Sequence, residues 1–342
     1  MQLIATASSL PVPTIIILSS LPSLPTLHTL TGFHTSPLSH LRFSPTGHLL
    51  LSIGSDPLHS RALYDTKEGR MVHSGRGTRS KVLDVRPNPW EEGEWVEAGV
   101  THLSTLRFGK GGEVTEVVMS TGGGAGSGNQ VPQTFLCACY VTRTVVVAGS
   151  TTGEIYSFRD GKVERVVGGV HEGNVNALRV SWGTGTVVSG GRDGRVCVWD
   201  ARGFKEDLVC RGGKGEGGGG TEGGGGTEGG GGTEAAGGTD HLDDGIRPIM
   251  TVTVGEMGIP TGTEYGGKRQ EAIRSLDVTR DGDAIVIGTQ GCNIYEVRVR
   301  DEGGEGGGGG RKKVVRGSYD DDDDGKREMY EVRTVTSGHF EG

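Results

Sequence analysis

The chain has 342 residues, 65 of them glycine, with 33% apolar residues and a formal net charge of −8 at pH 7. So much glycine beside so little apolar sequence implies many turns, low-complexity stretches and a core that is thin for the length. The acidic balance gives no electrostatic support to nonspecific nucleic-acid binding or to an anionic membrane surface, and the cysteines at 137, 139, 197, 210 and 292 form neither a secreted disulfide framework nor a zinc pattern.

Residues 1–26 read as a low-complexity tail. The first 41 residues contain no Asp, Glu, Lys or Arg, which invites a targeting reading. However, Ile15-Ile16-Ile17-Leu18 is short for a secretory signal and is flanked by Pro11, Pro13, Pro22 and Pro25, and a transit peptide would be rich in arginine. Thr14 to Leu18 is therefore expected to be an orphan strand, placed where the closing strand of a preceding repeat belongs. No stretch of the sequence is long and apolar enough to span a bilayer.

Repeating units follow at 27–65, 72–108, 131–160 and 167–200, with a further one at 246–300. Each holds short alternating apolar runs parted by turn residues, the pattern of antiparallel strands. The unit at 167–200 is the most regular, with runs at Val175-Ala177-Leu178-Val180, Thr186-Val187-Val188 and Val196-Val198, opening near His171 and closing on Trp199-Asp200. Placed on that template, 27–65 offers His34, Ser52 and Asp56 with Tyr64 in the Trp position, and its final turn is longer. The unit 72–108 puts Ala98 at the Ser position and ends on Phe108. The unit 131–160 has Ala148, Thr152 and Phe158 at the Ser, Asp and Trp positions, and 246–300 has Ile287, Gly291 and Val297.

Low complexity is expected at the boundaries between units, as disordered insertions at 211–245, where GGGGTE occurs three times, and at 301–328, which ends in a run of aspartates, Asp320 to Asp324. A run of aspartates without fixed geometry is ordinary solvated sequence rather than a calcium site. The glycines at 122–128 are not a phosphate loop, because no strand-to-helix junction bearing Lys-Ser/Thr follows. Lys and Arg are scattered, apart from Arg311-Lys312-Lys313. Cys137 and Cys139 lie two apart on one strand and face one side, which reads as buried or half-buried free thiols. The segment 329–342 reads as the start of a truncated unit.

His171, Ser189, Asp193 and Trp199 can satisfy one another. An indole N–H only donates, a hydroxyl does both, an imidazole needs a partner on each nitrogen, and a carboxylate accepts. This is a structural hydrogen-bond tetrad, with His34, Ser52, Asp56 and Tyr64 as a partial copy. Together the units are the signature of WD repeats. The fold expected is all-β, a WD40-type β-propeller with about five blades and partial blades at both ends. Since rings of this class close with about four to eight whole blades, this is either a strained small ring or a piece of a larger one, and the piece, an incomplete or open ring, is favoured. No cofactor or metal site is expected.

Several segments, LTGFH at 30–34, FSPTGHLLLSIG at 43–54, KVLDVRPNPW at 81–90, AGVTH at 98–102, GEIYSF at 153–158, SGGRDGRVCVWD at 189–200, AIRSLDV at 272–278, GTQGCNIYEV at 288–297 and GHFEG at 338–342, resemble the echinoderm microtubule-associated protein-like family in kind and order. That resemblance implies a non-catalytic cytoplasmic protein of the cytoskeleton, binding tubulin or microtubules through a propeller face. The family's basic, coiled-coil amino-terminal region is not among the matching segments. A general protein-interaction scaffold with a non-tubulin partner is the alternative. A propeller hydrolase or lyase would need carboxylates and histidines converging from several strands. His34 and His171 are taken up by the tetrads, and spacing predicts no carboxylate partner for His73, His102 or His241.

Overall fold

In a computed structural model, the chain is described at residues 3–8, 13–19, 24–109, 112–121, 133–204, 247–254, 272–279, 281–300, 313–316 and 329–336. Apart from one 3-10 turn at Ala201–Phe204, the regular structure among these residues is strand. The first sheet holds β1 (Leu3–Ser8), β2 (Thr14–Ser19) and β3 (Thr26–Leu30). The next four are antiparallel meanders of four strands each. They comprise β4 (Leu38–Phe43), β5 (Leu49–Gly54), β6 (Arg61–Asp65) and β7 (Arg70–Gly75); β8 (Val82–Pro87), β9 (Glu94–Gly99), β10 (His102–Phe108) and β11 (Val114–Val118); β12 (Phe135–Tyr140), β13 (Val145–Ser150), β14 (Ile155–Arg159) and β15 (Lys162–Val167); and β16 (Val175–Ser181), β17 (Thr186–Gly191), β18 (Arg195–Asp200) and β19 (Met250–Thr253). A sixth sheet takes β20 (Ile273–Val278), β21 (Ala284–Thr289), β22 (Ile294–Arg300), β23 (Lys313–Arg316) and β24 (Met329–Thr336), with β24 between β22 and β23.

Local chemistry accounts for the hairpins. Gly47, Gly93, Gly185 and Gly282 all have φ between +67° and +84° and sit in the turn between the first and second strands of their sheets, where a Cβ would be strained. Asp160-Gly161, both at positive φ, form the two-residue loop from β14 to β15 that such a turn demands. A β-bulge recurs at the start of every innermost strand from the second sheet on, between Leu38/His40, Val82/Asp84, Phe135/Cys137, Val175/Ala177 and Ile273/Ser275. A bulge adds local twist, and its repetition gives each sheet the same shape.

The core is not one mass but a series of layers between neighbouring sheets. Leu51, Ile53 and Leu63 of the second sheet meet Val82, Val85 and Trp95 of the third. Val147 and Ile155 of the fourth meet Val175, Val187 and Trp199 of the fifth. Val188, Val196 and Val252 of the fifth meet Ile273, Ile285 and Val297 of the sixth. Second strands are accordingly buried on both faces: β9 and β13 are buried at every residue. The innermost strands pack in succession, β1 on β4, β4 on β8, β8 on β12, β12 on β16 and β16 on β20. Among the described residues no comparable packing joins β20 to β1, so the sheets do not close into a ring.

The placement of several segments differs from expectation. The orphan strand is the centre of the first sheet, paired with β1 and β3, and Ile15 and Ile17 are buried against Leu50 and Tyr64 of the second. β7 pairs with β6 and so completes the second sheet rather than opening the third. The GGGGTE repeats and the aspartate run lie outside the described residues, but the strands on either side of them show where they enter. Residues 205–246 separate β18 from β19 of one sheet, and β22 and β24 are likewise paired partners. Both insertions therefore interrupt a blade before its fourth strand instead of separating blades, and the second, expected to be disordered over 301–328, itself contributes β23 at the sheet's edge. The same pairing makes β24 the fourth strand of the sixth sheet, not the beginning of another unit. In each case an outer strand is recruited by pairing across a gap in sequence, which local pattern does not register.

Where sheets come closest, glycine is required for space. A Cβ on Gly190 of β17 would lie 2.6 Å from Ile273 Cγ2 and 2.7 Å from Leu276 Cδ2 of the sixth sheet. Gly149 of β13 stands in the same relation to Val175, at 2.6 Å from its Cγ1. Gly190→Ala is expected to destabilise the protein by about 1 to 3 kcal/mol through overpacking. Urea denaturation measures this, and an unchanged midpoint would show that the fifth and sixth sheets are not in contact there.

Candidate functional site

The structure brings His171, Ser189, Asp193 and Trp199 together. His171 lies in the loop from β15 to β16, Ser189 in β17, Asp193 in the turn from β17 to β18, and Trp199 in β18. The Trp199 indole N–H donates to Ser189 Oγ at 3.0 Å, the Ser189 hydroxyl lies 2.9 Å from His171 Nε2, and His171 Nδ1 lies 3.0 Å from Asp193 Oδ1. With Asp193 ionised, Nδ1 carries the proton and Nε2 accepts from the serine, so the chain runs donor to acceptor from Trp to Asp. Asp193 also accepts the backbone N–H groups of Glu172 and Arg195, each at 3.0 Å, and the Arg195 guanidinium at 2.6 Å. Burial pushes its carboxyl up, but the His171 hydrogen bond and charge and the two backbone donors outweigh that and hold it below the usual range.

Carboxylate, imidazole and hydroxyl stand here in the order of a nucleophilic triad. Chemistry at Ser189 is blocked all the same, because the serine is 0% exposed and its oxygen already receives the Trp199 N–H. The four groups join one sheet's strands and loops.

The second sheet builds a variant. His34 Nε2 is 2.7 Å from Ser52 Oγ, but its Nδ1 meets Ser60 Oγ at 3.2 Å rather than Asp56. Ser60 in turn donates to Asp56 Oδ2 at 2.5 Å. The longer turn therefore inserts a hydroxyl relay between imidazole and carboxylate. Tyr64 stands buried in the Trp position, in the layer with Ile15, Ile17 and Leu50.

In the third sheet the register corrects the assignment of Ala98 and Phe108. Ser189 pairs with Leu178 and Cys197, two steps in from the bulge, and the equivalent residue in the third sheet is Glu97, paired with Val85 and Ser104. The Trp position falls on Leu106, paired with Trp95. A slip of one residue reverses the face of every side chain, which is why aligning on small residues led to Ala98. Glu97, fully buried, takes both guanidinium arms of Arg61 from the second sheet, at 2.8 and 3.0 Å, and also His102 Nε2 at 3.0 Å. His102 thus has the carboxylate partner that spacing did not reveal, and the tetrad is replaced by an ion pair between blades. Burial pushes the Glu97 carboxyl up, while His102 and Arg61 together bring it below its ordinary value.

The fourth and sixth sheets rely on apolar packing. Ala148 and Phe158 are buried, with Phe158 edge-on to Phe135 at 5.8 Å, and Thr152 bonds to Glu154 at 2.7 Å. Ile287 and Val297 lie in the layer against the fifth sheet. Cys137, Cys139 and Cys197 are buried, Cys292 is exposed, and Cys210 and His241 lie outside the described residues. Burial pushes the Cys139 thiol up to about 12 and the Cys197 thiol up to about 11, so neither is a reactive thiolate at neutral pH. Among the described residues, no group of His, Cys, Asp and Glu is arranged to hold a metal ion, and no helix is long and apolar enough to cross a membrane.

Asp193→Ala is expected to cost about 1 to 3 kcal/mol, because it orphans a buried imidazole. Glu97→Gln is expected to cost more, about 3 to 5 kcal/mol, because it removes the bidentate counter-charge of buried Arg61 and leaves it only half-buried Glu116, at 3.8 Å; urea denaturation of both variants checks the order. With its folded pKa depressed, Asp193 contributes stability above the unfolded value of about 3.9, and that contribution fades as pH falls below it toward the folded value. Asp193→Asn should therefore show a shallower loss of Tm than the wild type below about pH 4, read by thermal melts across pH.

A WD40 profile, described as WD domain, G-beta repeat, matches residues 165–200. Among solved structures the chain is similar to the β-propeller domain of Cps50 (Swd1) from Myceliophteria thermophila, at 13% identity and a TM-score of 0.56, over 86% of this chain and 79% of that one. It is similar also to the WD40 β-propeller domain of Doa1, at 15% identity and a TM-score of 0.51, over 86% of this chain and 74% of that one. The tetrad of the fifth sheet, the profile match around it and the likeness of the whole to two propellers agree: the chain has the fold of a WD40 β-propeller, its four-stranded sheets arrayed without closing into a ring.

Proposed function

We propose that this propeller is a non-catalytic protein-interaction module, and that its partner is tubulin or the microtubule, which places it in the cytoplasm at the cytoskeleton. One observation carries the first half of the reading: the histidine, serine and carboxylate groups that could have formed a reactive centre are spent inside the blades on mutual hydrogen bonds. What remains is a rigid outer relief, and interaction through such a surface is what WD40 propellers offer. The choice of tubulin rests on the resemblance of segments such as KVLDVRPNPW and SGGRDGRVCVWD to the echinoderm microtubule-associated protein-like family. At a net charge of −8, the domain would bind the folded body of tubulin by shape and hydrogen bonding more than by attraction to its acidic tails.

That same charge favours a second reading, a scaffold whose client is another protein. Sedimentation with microtubules, and a parallel assay with free tubulin, at two ionic strengths separates the two. Binding that weakens only modestly with salt is expected. No binding at either salt would discard tubulin, and a purified non-tubulin protein that binds the same preparation would then establish the second reading.

A further inference from the structure

Sequence order scatters the arginines, but the innermost strands collect three of them. Arg42, Arg86 and Arg179 hold equivalent places, each one residue past the partner of the Ser position, since Leu41, Val85 and Leu178 pair with Ser52, Glu97 and Ser189. All three therefore share one level of the innermost strands, on the way from the tetrad loops to the hairpin turns. Their side chains are 37%, 25% and 20% exposed. One buried carboxylate serves all three: Asp84 is 3.2 Å from Arg86 Nε and 3.8 Å from Arg42 Nη2, and its charge also acts on Arg179. The carboxylate paired with Arg179 is Asp277, at 3.7 Å and itself 82% exposed, a solvated pair that contributes little. Burial first, and then the charge of Arg86, push both Arg42 and Arg179 below the ordinary guanidinium value. Positive charge is therefore in excess in a half-dehydrated place, on a domain that is acidic as a whole.

A second feature lies just beyond, at the end formed by the hairpin turns that follow these strands. Trp90, in the turn from β8 to β9, and Trp182, in the turn from β16 to β17, are 40% and 48% exposed. Their rings meet edge to face, with centroids 4.7 Å apart. They belong to the third and fifth sheets and meet beside the turn of the fourth, whose Arg143 Nε pairs with Glu91 Oε1 at 3.0 Å. The turn that carries Trp90 is rigidly seated: fully buried Asn88 accepts the Trp90 backbone N–H and donates to the Glu94 carboxylate and to the Arg143 carbonyl, each at 3.0 Å. Nothing in the fold requires two indoles in water, whereas tryptophan and arginine are the residues that dominate protein-protein contacts.

We propose that this end of the propeller is a docking site for an acidic segment of a partner protein, its carboxylates held by Arg42, Arg86 and Arg179 and its apolar side chains lying on Trp90 and Trp182. Guanidinium groups pair with carboxylates bidentately and most strongly where water is thinned. The rest of the chain repels a long polyanion, since binding nucleic acid takes many phosphate contacts, so a short acidic peptide fits better than RNA or DNA. This deepens the reading of the propeller as an interaction module and rests on that part of it, not on the choice of tubulin.

The test uses the full chain and fluorescence anisotropy with a fluorescein-labelled peptide of alternating glutamate and leucine, beside the same peptide with glutamine. The glutamate peptide is expected to bind roughly tenfold tighter or more, as charged hydrogen bonds of this kind imply. Arg42→Gln with Arg179→Gln should abolish that preference, and Trp90→Ala with Trp182→Ala should weaken both peptides. Asp84→Asn, which removes the competing carboxylate, should tighten the glutamate peptide, a gain that misfolding cannot mimic. A preference that survives in the double arginine variant with an unchanged Tm overturns the proposal, as does tighter binding of a single-stranded oligonucleotide. A rise in affinity when Asp320 to Asp324 are replaced by serine would assign the site to the chain's own acidic run and also overturn it. Failure here leaves the microtubule sedimentation result standing, so the two readings fail separately.

Discussion

Burial of the interior sheets on both faces is the constraint from which the rest of the molecule follows. A strand such as β9 or β13, with every residue buried, cannot be stable in a lone sheet, because half its side chains would face water. Only a second sheet stacked face to face removes that surface, and the second sheet then needs a third. The layers between sheets are thus the cores of the protein, and stability is shared among neighbours much as in other repeat architectures. Glycines at 149 and 190 are part of this arrangement, since they let the next innermost strand approach to the distance that closes the layer.

Polar groups enter these layers mostly as completed sets, the buried Trp95 indole N–H and Ser157 hydroxyl being without a hydrogen-bond partner among the described residues. The fifth sheet satisfies an indole, a hydroxyl, an imidazole and a carboxylate with one another, while the second needs an additional serine to do so. The third sheet reaches the same end by a different route, with Glu97 paired to Arg61 of its neighbour and to His102. The fourth and sixth leave the Ser and Trp positions apolar. A buried polar network holds a sheet together only if each member is paired, so the repeat tolerates complete replacement more readily than partial loss. This explains why the sequence copies look so unequal although the sheets are built alike.

The two ends of the propeller differ in consequence. Tetrad groups run from the loops before the innermost strands to the Trp position, and their polar atoms are turned inward. One residue past the partner of the Ser position, Arg42, Arg86 and Arg179 have more charge than Asp84 can neutralise, and at the hairpin turns beyond them two indoles stand in solvent. An acidic domain with one locally basic, aromatic patch has its sign reversed where a partner can touch it, and this reconciles an overall charge of −8 with recognition of carboxylates.

Strand alternation, turn glycines and the spacing of His171, Ser189, Asp193 and Trp199 are local properties, so the all-β propeller class and its best blade could be read from the chain directly. The partial set at His34, Ser52, Asp56 and Tyr64 was legible for the same reason, apart from Ser60, whose role depends on how a longer turn folds back. Pairing between distant strands decided the rest. Register at Glu97 is set by a bulge at Val82/Asp84, the outer strands β19 and β24 are recruited across long interruptions, and the arginines converge only when separate strands are laid side by side. Hydrophobic periodicity specifies which face of a strand is buried, but not which neighbour buries it, and that choice is made by packing in three dimensions.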